Sequence, residues 1–381
     1  MTTLKTITKA LTLCALIALL AVWAVGQADA NAANPQAGSR NPSRPFGDVQ
    51  ALAQAPAPPG FPEGIGAQFG LVYVAGPATL GTAGNGTPSK TLVFNGFNGD
   101  LLLARDVIGE DLTQEHANSC LAFDGFGRVY VLNLQLGVLR YDPLLRTQQS
   151  YSGPFPNLPP CNQAAPGTPC SPTVIDLPPL PNDLAFDQAG NLFVTDSLQA
   201  TIWRIPAGGG APQIWFQDNR LAPGPVAGIG ANGIRFNPQG AKLFITVSED
   251  QNGQAFVYTL PRVAQPAAAD LQVFHHYTSG DIPDGIAFGK TGLLYVTIAT
   301  PFNSGISILR PNGTELTRLA NPPGSPISPY DSPANIAFDN KGSLLVTNRA
   351  FATGGQEPAQ FKVLDVFVND NGAPLARPFV P

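Results

Sequence analysis

Asn182-Asp183-Leu184-Ala185-Phe186 opens the clearest of six related segments, and Asp187-Gln188-Ala189-Gly190 turns it into a second strand, Leu192-Phe193-Val194-Thr195. Thr201-Ile202-Trp203-Arg204-Ile205 alternates apolar and polar residues, as a half-buried third strand does. After Gly208-Gly209-Gly210, Gln213-Ile214-Trp215-Phe216 supplies a fourth. Four short antiparallel strands in one repeat make one blade of a propeller.

The opening returns as Pro62-Glu63-Gly64-Ile65, Ser119-Cys120-Leu121-Ala122-Phe123, Asn232-Gly233-Ile234-Arg235-Phe236, Asp284-Gly285-Ile286-Ala287-Phe288 and Ala334-Asn335-Ile336-Ala337-Phe338. The copies start at 63, 119, 182, 232, 284 and 334, spaced 50 to 63 residues apart, a period that marks a repeat architecture. The expected fold is all-β: a six-bladed β-propeller of four-stranded antiparallel blades around a central channel, spanning residues 59–381. Blade one departs from the pattern, its aromatic displaced by an insertion. The last blade reads as complete in itself, with strands over 344–347, 361–366 and 375–379. No strand is therefore expected to join the two ends of the chain.

Lys5 and Lys9 precede an apolar run over 11–25, and Ala28-Asp29-Ala30 has the small-x-small pattern of a cleavage site. Residues 1–30 therefore read as a signal peptide, and the mature chain as secreted or periplasmic rather than held in a membrane. Residues 31–58 are rich in Ala, Pro, Asn, Gln and Gly. Such a segment buries too little apolar surface to offset its ordering entropy and reads as a flexible leader. Only 12% of residues are charged, the net charge is −5, and no basic stripe occurs, which argues against a nucleic-acid partner. Cys161 and Cys170 bracket a Pro/Gly-rich insertion after blade two, where export favours a local disulfide. An insertion there is a candidate lid or substrate-selecting rim. Cys120, inside an apolar strand, reads as a buried inert thiol.

In a propeller the innermost strands line the channel, so equivalent strand starts form a ring at one mouth. That ring reads Glu63, Ser119, Asn182, Asn232, Asp284 and Ala334. Two carboxylates and two amide oxygens are the hard donor set that Ca2+ prefers. The absence of His and Cys from the ring weighs against zinc or copper. Gly228-Ile229-Gly230-Ala231-Asn232-Gly233 matches a dinucleotide fingerprint in letters only, since a strand and not a helix follows.

The motifs resemble those of the senescence marker protein (regucalcin)/gluconolactonase superfamily, which includes diisopropylfluorophosphatase and, more distantly, the paraoxonases. The resemblance covers about residues 59–381 and implies a divalent metal in the central channel. It rests on Glu63 in Pro62-Glu63-Gly64, Asn182 in Pro181-Asn182-Asp183, Asn232 in Ala231-Asn232-Gly233 and Asp284 in Pro283-Asp284-Gly285, each in the matching blade. By that resemblance Glu63, Asn182, Asn232 and Asp284 hold the ion, Asp284 is general base or nucleophile, and Asn182 orients the substrate. The implied activity is metal-dependent hydrolysis of a lactone, ester or phosphotriester, a small-molecule reaction expected of a monomer. Two alternatives stay open: a non-catalytic binding module with a structural ion, and a strictosidine synthase-like enzyme. His116 is a secondary candidate base, and Asp183 either supports the ligands or only opens its strand.

Overall fold

A computed structural model describes residues 44–278, 280–353 and 357–381. The expected signal segment and the leader up to residue 43 lie outside the described residues.

Six four-stranded antiparallel sheets follow one another along the chain. Their innermost strands are Ile65–Gln68, Asn118–Phe123, Pro181–Phe186, Ala231–Phe236, Pro283–Phe288 and Pro333–Phe338. Six hydrophobic clusters fill the six spaces between neighbouring blades, so the core is a set of wedges and not one central mass. The only helical segments among the described residues are three short 3-10 turns, Asn219–Leu221, Ala268–Asp270 and Pro358–Gln360.

The repeated phenylalanine explains the wedges. Phe186 meets Tyr130 of the preceding blade edge-to-face at 4.9 Å between ring centroids. Phe123 with Tyr73, Phe236 with Phe193, Phe288 with Phe244 and Phe338 with Tyr295 repeat the contact at four further interfaces. Such pairs add about 0.5–1.5 kcal/mol each beyond their buried area. In blade one the pairing of Ile65–Gln68 with Leu71–Gly76 runs without a register shift. No insertion displaces an aromatic there. Ala67 takes the position, and Phe69 stands 75% exposed. Phe61 and Phe361 supply an aromatic pair of their own at 4.8 Å.

The expected closure of blade six is corrected. Its outer strand is Val49–Gln54 from the N-terminal side, paired antiparallel with Lys362–Phe367. Arg44 fastens this strand by ion pairs to Asp48 at 2.7 Å and Asp365 at 2.8 Å. The supposed leader thus contributes a structural strand, and the N-terminal strand closes the sheet of the last blade. Residues 375–379 are not a strand. Pro374 and Pro378 lack the N–H a ladder needs. The C-terminal segment instead crosses the ends of the early blades. The Pro378 carbonyl accepts from Gly125 N at 2.8 Å, the Pro381 carbonyl accepts from Arg140, and Val380 is buried in the cluster between blades two and three.

Cys161 and Cys170 form a disulfide, as expected, within the insertion between blades two and three. Gln199 anchors that insertion, accepting from Leu158 N and donating to the Pro156 carbonyl, while Ser171 donates to the Gln199 carbonyl.

Candidate functional site

From blade two onward every inner strand breaks register at its start. Pro181 pairs with Asp196 and Leu184 with Val194, leaving Asn182 and Asp183 opposite Thr195 alone. The same break falls at Ser119-Cys120, Asn232-Gly233, Asp284-Gly285 and Ala334-Asn335. Two residues against one is a β-bulge, a device that re-aims a side chain.

In blades three to six the second strand sets a threonine, Thr195, Thr246, Thr297 or Thr347, opposite the bulge, whereas blade two has Leu132 there. The Thr246 hydroxyl accepts from Gly233 N and donates to the Asp284 carbonyl of the next blade, each at 2.6 Å. Thr195 does the same between Asp183 and Asn232, and Thr347 between Asn335 and Glu63. Thr297 donates to the Ala334 carbonyl. One hydroxyl thus satisfies the N–H freed by the bulge and sets the neighbouring ring residue. Backbones are close here: a Cβ on Gly285 would lie 2.7 Å from Asn335 Cα and 2.8 Å from the Ala334 carbonyl.

Glu63, Asn232 and Asp284 are 2%, 4% and 2% exposed, and Asn182 is 9% exposed. Asn182 Nδ2 donates to Ser197 Oγ at 3.0 Å, and Asn232 Nδ2 to Ser248 Oγ at 2.9 Å. The two serines donate onward to the carbonyls of Ala231 and Pro283. With each amide nitrogen so committed, the side-chain carbonyl oxygen faces away from the serine. Asn232 Oδ1 and Asp284 Oδ1 are buried and have no hydrogen-bond partner among the described residues. An unsatisfied buried acceptor costs about 1–3 kcal/mol.

Burial, and then the charge of Glu63, hold the Asp284 carboxyl well above the usual carboxylate range, against opposition from Arg349. Burial likewise raises Glu63, while Arg349, with Nη1 3.2 Å from Oε2, pulls it down. Glu63 and Arg349 thus lie close enough to Asp284 for their charges to act on its carboxyl. Asn182 lies one blade from Asn232, linked through Ser197 to the carbonyl next to that residue. Of the remaining ring residues, Ser119 donates to the Pro181 carbonyl and Ala334 offers no donor.

These residues suit a hard cation. Two carboxylates and amide oxygens without partners match the all-oxygen preference of Ca2+. Among the described residues no three His, Cys, Asp or Glu side chains gather, so an ion at this mouth would draw on amide oxygens as well as the two acids. His116 is not a free base: it is fully buried, with its ring nitrogens against the carbonyls of Gln114 and Thr87.

Two arginines escaped the sequence reading. Arg235 Nη1 pairs with both oxygens of Asp183 at 2.8 Å, and Nη2 reaches Asn335 Oδ1 at 3.5 Å. Asn335 in turn contacts the buried Cys120 thiol, which burial pushes up. This network bridges four blades across the channel just inside the ring. At the position of Arg235 the other blades carry Gly66, Ala122, Ala185, Ala287 and Ala337. One long residue among five small ones was a legible signal. Asp183 belongs to this plug, its carboxylate accepting from Arg235 and from Ile234 N and from no ring side chain among the described residues. Arg349 is the second missed residue.

A cavity of about 640 Å³ opens at the opposite channel end, lined by the strand-end phenylalanines and the segment 372–377. It lies beyond the Arg235 plug and contains neither Glu63, Asn232 nor Asp284.

No family model matches the chain, and no curated protein matches it. Solved structures do. A calcium-binding regucalcin from Agrobacterium tumefaciens superposes with TM-score 0.59 at 14% identity, covering 88% of this chain and 98% of that one. A gluconolactonase from Xanthomonas campestris gives 0.51 at 15%, covering 86% and 99%. The fold is that of the regucalcin and gluconolactonase propellers. Virginiamycin B lyase from Staphylococcus aureus also shares it, with TM-score 0.51 at 15% identity and coverage of 84% and 99%. A gluconolactonase and a lyase thus share this propeller fold.

Proposed function

We propose that this chain is a divalent-cation-dependent hydrolase of lactones or related esters, working at the mouth formed by Glu63, Asn182, Asn232 and Asp284, with Ca2+ as the ion. The observation that carries this reading is the pair of buried oxygens without a partner among the described residues, Asn232 Oδ1 and Asp284 Oδ1, the amide held by Ser248 of its own blade and the acid's backbone carbonyl by Thr246 of the preceding one. Ser197 and Ser248 fix the amides so that oxygen, not nitrogen, is presented.

The bound ion would polarise the scissile carbonyl and offset the charge developing on its oxygen. Asp284 accepts the proton of the water that adds to the carbonyl carbon and returns it to the departing ring oxygen. Water is consumed and a hydroxy acid leaves. Asn182, the least buried of the four, orients the substrate. The insertion pinned by Gln199 presents Val174 and Ile175, 66% and 58% exposed, as an apolar rim that selects what enters. All four donors come from one chain, so we read the working unit as a monomer. The Cys161–Cys170 bond supports an oxidising, secreted or periplasmic location.

The test is hydrolysis of γ- and δ-lactones and aryl esters with EDTA, then with Ca2+ restored. Turnover that EDTA abolishes and Ca2+ recovers supports the assignment. Absent or EDTA-indifferent turnover counts against it.

A further inference from the structure

Arg349 follows the second strand of blade six, Ser343–Asn348, two residues beyond the stitching threonine Thr347. In blades three and four the residues two beyond Thr195 and Thr246 are Ser197 and Ser248. Those serines hold the ring amide of their own blade and reach forward to the backbone of the next. Blade six has Ala334 in the ring, which offers nothing to hold. Arg349 reaches only forward, to the carboxylate of Glu63 in blade one. The equivalent position thus carries a cation at the one place where the next ring residue is Glu63.

The pair is unevenly buried. Glu63 is sealed, whereas the Arg349 side chain keeps 21% of its surface in solvent and lies over the Phe351 ring at 5.1 Å. Its Nε has no partner among the described residues. Arg235 is committed to Asp183, which leaves Arg349 to offset Glu63 and Asp284. A guanidinium and a divalent cation on one carboxylate repel each other, so the approach of the ion weakens the single Arg349–Glu63 contact. Of the two groups, the arginine has a flexible stem and an open path to water.

We propose that Arg349 is a displaceable counter-ion: it neutralises Glu63 while the ring is ion-free and leaves that carboxylate as a divalent cation enters, so that it sets the ring's affinity for the ion. The proposal rests on the ring reading above. Breaking a charge-assisted hydrogen bond opposes ion entry, so the native ring binds more weakly than its donors alone would.

Calorimetric titration of the full chain with CaCl2, beside Arg349→Met and Arg349→Lys, tests this. Arg349→Met should bind Ca2+ about tenfold tighter or more, since the opposing charge is gone. Arg349→Lys, which keeps the charge, should stay close to the parent. In EDTA, Arg349→Met should melt lower than the parent because Glu63 loses its counter-charge, and added Ca2+ should raise its melting temperature by more. Should the Met variant not fold, Arg349→Gln carries the same expectation. Unchanged or weaker Ca2+ binding in the neutral variants, with binding measurable in the parent, overturns the proposal alone. Absence of Ca2+ binding in every chain overturns the ring reading and the proposal together.

Discussion

The Thr347 hydroxyl donates to the backbone carbonyl of Glu63, 284 residues earlier in the chain. It also accepts from Asn335 N at 3.0 Å, so one side chain closes the ring between the last blade and the first. Thr347→Val keeps the shape and removes both bonds, leaving a buried carbonyl and N–H unsatisfied. Destabilisation of about 1–3 kcal/mol is expected in urea unfolding. A change under 0.5 kcal/mol would show that closure rests on other contacts.

Ser248 does for Asn232 what Thr347 does for the backbone. It accepts from Nδ2 at 2.9 Å and leaves Oδ1 facing the mouth. Ser248→Ala frees the amide to rotate while leaving all four oxygen donors in place. Ca2+ affinity should fall about 10- to 100-fold, the usual effect of losing a group that orients a ligand. Calorimetry at fixed pH measures this, and an unaltered affinity would separate Ser248 from the ring's function.

Asp284 and Glu63 make the ion-free protein sensitive to pH. Both carboxyls are raised, first by burial, and in Asp284 next by the charge of Glu63. The folded state then holds protons more tightly than the unfolded one. The stability this contributes is fully present below the ordinary aspartate value of 3.8 and is lost as pH rises through the raised folded value. In EDTA the melting temperature should therefore fall from mildly acidic to neutral pH. Asp284→Asn should flatten that slope, and Ca2+ should reverse it, since the ion needs both acids ionised. A melting temperature that rises toward neutral pH in EDTA would contradict the arrangement.

The strand Val49–Gln54 makes a prediction about length. A chain beginning at residue 44 keeps Arg44 and its ion pairs to Asp48 and Asp365 and should melt as the full chain does. A chain beginning at residue 56 loses the outer strand of blade six, with buried Ala53 and Ala55, and bares the edge of Lys362–Phe367. Lower melting and self-association by size-exclusion chromatography are expected of the shorter chain. Equal behaviour of the two would mean that the strand contributes nothing to closure.

Much of this was legible because repetition fixes both architecture and equivalence. Aligning Asn182, Asn232 and Asp284 on their phenylalanines places them at one mouth without any knowledge of packing. The failures have physical causes. Val49-Gln-Ala-Leu-Ala-Gln is short and alanine-rich, and its role is set by a partner over 300 residues away. Near the other end, Leu375 and Phe379 suggested a strand that Pro374 and Pro378 cannot support. Arg235 was visible in the sequence as the one large residue directly before the repeated phenylalanine, where four other blades carry Ala. Arg349 required knowing that the residue two beyond each threonine faces the mouth, which the sequence alone does not reveal.

The most direct test of the central claim is a crystal soaked in Mn2+ and recorded at the manganese absorption edge. A single anomalous peak is predicted at the channel mouth, bonded to side-chain oxygens of Glu63, Asn182, Asn232 and Asp284. A crystal that takes up the ion elsewhere, or shows no peak at the mouth at millimolar Mn2+, would contradict it.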